Sequence, residues 1–132
     1  MIDIVNQVSK LLVPSDVICI ETPFMGKGNF VLQQGALGYM LRGAIREKGL
    51  NYIDVAPSQL KKFISGSHLC KKEGLILPLY KKYGYEHQDD NVRDAFGLAQ
   101  IAKSVRTGVY LDAKQGEVVK RVLANVNSKK QP

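Results

Sequence analysis

Apolar positions recur along this chain at two periods, one helical and one extended. Ile2, Val5, Val8 and Leu12 have helical spacing and predict an amphipathic helix over residues 2–13, ended by Pro14-Ser15. Asp16-Val17-Ile18-Cys19-Ile20 is a short and nearly unbroken apolar run, which predicts a strand over 16–20 buried on both faces, as in a parallel sheet. The run stops at Glu21-Thr22-Pro23. Residues 22–29 carry Pro23, Gly26 and Gly28 and predict a loop. A long helix is expected over 30–47, with Val31, Leu32, Ala36, Tyr39, Met40 and Ala44 on or near one face and Lys48-Gly49 closing it. Asn51-Tyr52-Ile53-Asp54-Val55 then reads as a second strand.

Pro57-Ser58 suits a helix start, and a short helix is expected over 58–64 before the turn Ser65-Gly66-Ser67. Residues 70–83 predict a further helix that Pro78 kinks or divides. His87-Gln88-Asp89-Asp90 is a polar loop. It leads into a helix over 91–105 with Val92, Phe96, Ala99, Ala102 and Val105 turned inward. The tail from Thr107 contains a helix at 113–126 and frays from Ser128. Helices alternate with strands, which argues for an α/β layer fold. No repeat or linker divides the chain, so 1–132 is expected to be one domain, with 107–132 as a C-terminal extension.

Composition narrows the picture modestly. With 45% apolar and 23% charged residues the chain is globular rather than disordered. No apolar run is long enough to span a membrane, and the first twenty residues lack the pattern of a signal peptide. Cys19 and Cys70 have neither disulfide-framework nor zinc-site spacing, so a reducing cytoplasm is the expected compartment. The net charge of +7 favours a polyanionic partner, and nucleic acid is the commonest one, although many soluble proteins are basic without binding it.

Acidic residues carry the chemistry. Glu21 follows a buried strand, and in open α/β sheets ligands gather at the carboxyl ends of strands. A loop glutamate that accepts hydrogen bonds from the Gly-rich segment is the other reading. Asp90 and Asp94 are four apart and share one helix face, where two like charges repel unless a cation lies between them. Hard divalent ions favour such oxygen ligands. Helix capping also accounts for Asp90, and for Asp94 less well. Gly26-Lys27-Gly28 lacks P-loop spacing. His68 and His87 have no paired ligands and read as surface residues, with His87 close to the acidic group in sequence.

Three segments occur in order: Val17-Ile18-Cys19-Ile20-Glu21; Val55 to Phe63 followed by Gly66 and Lys71-Lys72-Glu73; and Asp89-Asp90-Asn91-Val92-Arg93-Asp94-Ala95-Phe96-Gly97-Leu98-Ala99. Together they resemble the RuvC family of Holliday-junction resolvases, especially its phage-type members, over about residues 2–105. The resemblance implies a ribonuclease H-like fold and two magnesium or manganese ions that serve phosphodiester hydrolysis. By position, Glu21 resembles the family's glutamate after its fourth strand, and Asp94 resembles its last catalytic aspartate. The preceding acid of the family falls on Asn91, with Asp90 one residue further back. Glu21, Asp90 and Asp94 are thus the implied catalytic acids, and Glu21, Asp90, Asn91 and Asp94 the implied metal ligands. Phe24 stands where the family places an aromatic that wedges into the junction; packing of the loop onto the core is the alternative. Lys61, Lys62, Lys71 and Lys72 resemble positions that contact the DNA backbone, and their concentration in one segment independently suits non-specific phosphate binding. A solvated helix face is the other account of them. Lys27 and Asn29 would join the DNA surface. A homodimer is implied, because a four-way junction is cut in symmetric pairs of strands.

The family's fold begins with three hairpin-joined strands, the first bearing a catalytic aspartate. This chain begins at what resembles the helix after them. About a dozen residues separate Asp3 from Val17, too few for three strands of typical length. The expectation is a ribonuclease H-like α/β fold truncated at its N-terminus, with an open edge beside strand 16–20. That edge would be paired in an oligomer, or the chain would have lost its N-terminus. Two functions therefore stand side by side: a metal-dependent endonuclease acting on branched DNA, and a catalytically incomplete DNA-binding or assembly module of the same fold. A small-molecule α/β enzyme has only the strand-end glutamate in its favour.

Overall fold

The computed structural model describes residues 2–22 and 29–129. Helix α1 (Ile2–Leu11) is followed by strand β1 (Cys19–Glu21), helix α2 (Asn29–Glu47), strand β2 (Ile53–Val55) and helix α3 (Pro57–Ser65). A short 3-10 helix (Lys72–Leu75) leads directly into α4 (Ile76–Tyr83), then α5 (Asp90–Thr107) and α6 (Ala113–Lys129). The element types follow the apolar pattern; the boundaries differ where packing outweighs it.

The strands are shorter than the apolar runs. Each has three residues, and β1 is only half-buried while β2 buries Ile53 and Val55. They pair in parallel, with Cys19 opposite Ile53, Ile20 opposite Asp54 and Glu21 opposite Val55. Glu21 is therefore the last residue of the strand rather than the first of the loop. Among the described residues the sheet has these two strands. Both carboxyl ends lie on one side, and Val55 continues through Ala56 into α3. Pro57 opens that helix, where its missing N–H is not needed, and Gln59 Oε1 accepts from Ala56 N–H at 2.8 Å.

Pro78 does not divide its segment. The break falls earlier, between Leu75 and Ile76, which puts Pro78 in the first turn of α4, where an interior backbone donor is not yet required. Two inward faces also differ from expectation. On α2, Tyr39, Met40 and Ala36 are exposed, Arg42 and Ile45 are the buried residues among the described side chains, and the side chains of Val31 and Leu32 lie outside them. On α5, Val92 and Ala99 are exposed, and Arg93, Gly97, Ile101 and Ser104 are buried. Three of those four are polar or lack a side chain, so the stripe leaves no hydrophobic signature.

One core joins β2, α3, α4, α5 and α6 through Ile53, Val55, Leu60, Phe63, Ile64, Leu79, Ile101, Val118 and Val122. Helix α6, from the tail, thus packs on α3 and β2 as part of this core. Its Gln115 is buried but satisfied: Nε2 donates to Phe63 O at 3.2 Å and to Tyr83 Oη at 2.8 Å, and Oε1 accepts from Leu111 N–H. Asp112 Oδ1 caps the helix by accepting from Gln115 N–H at 2.8 Å. Helix α1 lies against α2, and Lys48 donates to the terminal carbonyls of α1 at Ser9 and Leu12. Cys19 is half-buried in the strand, where burial pushes its thiol up to about 12 and leaves it inert.

Helix α5 approaches α3 at Gly97. A Cβ there would lie 2.5 Å from Ile64 Cδ1 and 2.8 Å from Leu60 Cδ1. Gly43, in the middle of α2, has open space around it. Gly97→Ala is therefore expected to destabilise the fold by about 1–3 kcal/mol through overpacking. Gly43→Ala should stabilise it by about 0.5–1 kcal/mol by restricting the unfolded chain. Urea unfolding of both variants checks the pair, and equal effects would contradict the close helix crossing.

Candidate functional site

Helix α5 packs against β1, and this contact brings Asp94 within electrostatic reach of Glu21 at the carboxyl end of the strand. The helix starts where it does because Asp89 is its N-cap. The Asp89 side chain accepts from Asn91 N–H at 2.8 Å, its own N–H donates to His87 Nδ1 at 3.0 Å, and Arg93 N–H donates to Asp89 O. Arg93, buried beneath, donates from Nη1 to His87 O at 2.8 Å. Capping thus falls to Asp89, which leaves Asp90 and Asp94 free of that duty. His87 buttresses the helix start.

Asp90 and Asp94 are bridged by a lysine. Lys72 Nζ lies 2.8 Å from Asp90 Oδ2 and 3.4 Å from Asp94 Oδ2. The Asp94 side chain is 15% exposed, against 42% for Asp90, so it sits deeper in the fold. Their hydrogen bond holds Asp90 below the ordinary carboxylate range and Lys72 above the ordinary amine range. The pairing explains how two carboxylates four residues apart share a helix face without net repulsion.

Glu21 enters from β1. Burial raises its carboxyl above the usual glutamate range and the charge of Asp94 raises it further, while Lys72 and Lys61 draw it back. Its backbone is held separately. Arg42, on α2, donates from Nη2 to Glu21 O at 3.2 Å and to Asp54 Oδ1 at 2.9 Å, with Nε also on Asp54 Oδ1 at 3.2 Å. The guanidinium lies 5.6 Å from the centre of the Tyr52 ring. Sequence reasoning missed Arg42. An arginine one turn before Ile45, on the same face of a helix bound for the interior, is the signal that marks it.

The four lysines separate. Lys61 and Lys72 both act on Glu21, whereas Lys62, one residue along α3, pairs with Glu117 of α6 at 2.8 Å. Lys71 is exposed and makes no ion pair among the described residues. Asn91 is exposed beside Asp90 and lines the same open groove with Lys72, Glu73, Gln88 and Asp89. Phe24 and Lys27 lie outside the described residues. Asn29 begins α2, and its side chain lies outside them as well.

The donor set fits a hard cation in its chemistry. Carboxylates from two elements, Glu21 and Asp94, lie within electrostatic reach of one another, and a cation, the Lys72 ammonium, bridges Asp94 to Asp90. Its geometry is not that of a preformed cage: among the described residues, no three His, Cys, Asp or Glu side chains converge on one metal position. No helix among these residues is long and apolar enough to cross a membrane.

No family model matches the chain, and no curated protein is similar to it in sequence. Among solved structures it is similar to RuvC of Thermus thermophilus, with a TM-score of 0.59 and 20% identity, over 82% of this chain and 69% of that one. This likeness identifies the α/β fold as RuvC-like.

Because the folded pKa of Glu21 lies above its unfolded value, ionising this carboxyl costs the fold stability. The cost is absent below the unfolded pKa and complete once pH exceeds the folded one. Glu21→Gln is therefore expected to raise the Tm at about pH 7 and to lose that advantage as pH falls to about 4. Thermal unfolding at the two pH values checks it; a gap that does not change with pH would assign the effect to packing.

Proposed function

We propose that this chain is a divalent-metal-dependent endonuclease that cleaves phosphodiesters in branched DNA, in the manner of a Holliday-junction resolvase. The observation that carries the reading is Glu21 of β1 within electrostatic reach of Asp94 of α5, with Lys72 bridging Asp94 to Asp90, at the strand ends of a RuvC-like fold. A structural or purely capping role would not need Asp94 half-buried next to a half-buried glutamate.

In this reading Glu21 and Asp94 hold magnesium or manganese, with Asp90 or Asn91 completing the shell. When bound, the ion supplies charge stabilisation to a phosphate under in-line attack by water. Lys61 and Lys72 pair with the phosphates that flank the cut, and Lys71 and Lys62 extend the basic surface along the DNA arms. Arg42 positions Glu21 by holding its carbonyl. Two copies of the chain would present two sites to the paired strands of a four-way junction.

A second reading is a DNA-binding or assembly module without catalysis. It is favoured by the absence, among the described residues, of three converging acids.

Cleavage of a labelled synthetic four-way junction with magnesium or manganese separates the two. The parent chain is expected to make symmetrically paired nicks as a dimer. Glu21→Gln and Asp94→Asn should each lower the rate by about two orders of magnitude or more while leaving junction binding in place. Salt-sensitive junction binding with no nick at any metal concentration would select the binding module instead.

A further inference from the structure

We infer that Lys72 is the resident counter-ion of the acidic site and that its ammonium competes with a divalent ion for the carboxylates of Asp90 and Asp94. The inference rests on the metal reading above and adds to it a residue that governs when the site accepts metal.

One atom carries the argument. Lys72 Nζ touches both Asp90 Oδ2 and Asp94 Oδ2, at 2.8 and 3.4 Å, from a different element of the chain. That is the position in which a cation offsets two carboxylates at helical i, i+4 spacing. A magnesium ion bound to the same oxygens would sit about 2.1 Å from them, which leaves no room for an ammonium hydrogen-bonded to the same atoms. The two positive groups would also repel at close range. At those two oxygens the ammonium and the ion therefore compete.

The surroundings allow exchange rather than a permanent lock. The Lys72 side chain is 50% exposed and begins at the first residue of the 3-10 helix. Its other hydrogen-bond partners are absent among the described residues. Arg93, the nearest other cation on α5, is committed to His87 O and does not bridge the pair. Lys61 reaches Glu21 by charge alone. An external phosphate is a strong acceptor for a flexible ammonium, so a nucleic-acid backbone laid across the groove would draw Lys72 off and open the carboxylates. Metal binding and phosphate binding would then favour one another through this residue, and the coupling would be reciprocal.

The test is manganese binding to the full chain without DNA, read as the loss of the free-ion electron paramagnetic resonance signal. Lys72→Met removes the competitor, and Lys71→Met removes the same charge from the adjacent exposed position. Asp94→Asn removes a ligand. The expected result is an affinity about tenfold tighter in Lys72→Met and within about twofold of the parent in Lys71→Met. Equal affinities in the parent and Lys72→Met, with binding lost in Asp94→Asn, would overturn the competition and leave the metal reading standing. Equal tightening in both lysine variants would reduce the effect to net charge and overturn it too. No manganese bound by any of the four proteins would overturn the metal reading itself, and the competition with it.

Discussion

The guanidinium of Arg42 is the fastening on which the rest of the arrangement depends. Two strands of three residues offer a short ladder of hydrogen bonds, and such a pair has little intrinsic stability. Arg42 reaches from α2 and ties the two strands where they end, at Glu21 O on one and Asp54 on the other. Side chains of the pair are 10% and 11% exposed, so both charges are largely out of water. A buried pair of this kind adds less net stability than its Coulomb energy implies, because desolvation opposes it. What it adds here is position: it holds Glu21 in register at the mouth of the sheet.

Helix α5 performs two jobs along one length. Its later turns enter the core, where Gly97 lets it approach α3 and Ile101 is fully buried. Its first turn presents Asp90 and Asp94 to Lys72 while Asp89 caps the helix. The buried stripe of Arg93, Gly97, Ile101 and Ser104 runs i, i+4, i+8, i+11, and its geometry is set by both demands together. A rotation of the helix that buried Val92 and Ala99 instead would carry Asp94 away from Glu21. The small and polar residues on the inner face are therefore the counterpart of the acids beside them. Burial of the Glu21 carboxyl, with Asp94 beside it, works against the fold, as its raised pKa shows, and strain of this sort is common where a site is arranged for chemistry rather than stability.

Much was legible in the residues themselves. The 3.6-residue periods located the helices, and the run before Glu21 located a strand of a parallel sheet. Pro57 and Gly66 marked the ends of α3: Pro57 sits at the first helical position, and Gly66 takes φ 89° to close the helix. Periodicity failed on α2 and α5, where an apolar residue is a poor guide to the inner face. Tyr39 and Val92 lie outside although apolar, and Arg42 and Arg93 lie inside because each finds partners there.

The sequence by itself determined local conformation and the stock of chemical groups: which segments coil, where caps fall, and that three acids and a group of lysines exist to be used. These follow from short-range sterics and from hydrogen bonds within a few residues. Only the tertiary structure decided which groups meet. Lys72 stands 18 residues from Asp90 and 22 from Asp94, and Arg42 stands 21 from Glu21. Lys61 and Lys62 are neighbours in the chain yet serve different faces, because a helix turns about 100° per residue. Pairings over such separations are set by how α5 seats on β1 and α3, and that seating is a property of the packed core, not of any window along the chain.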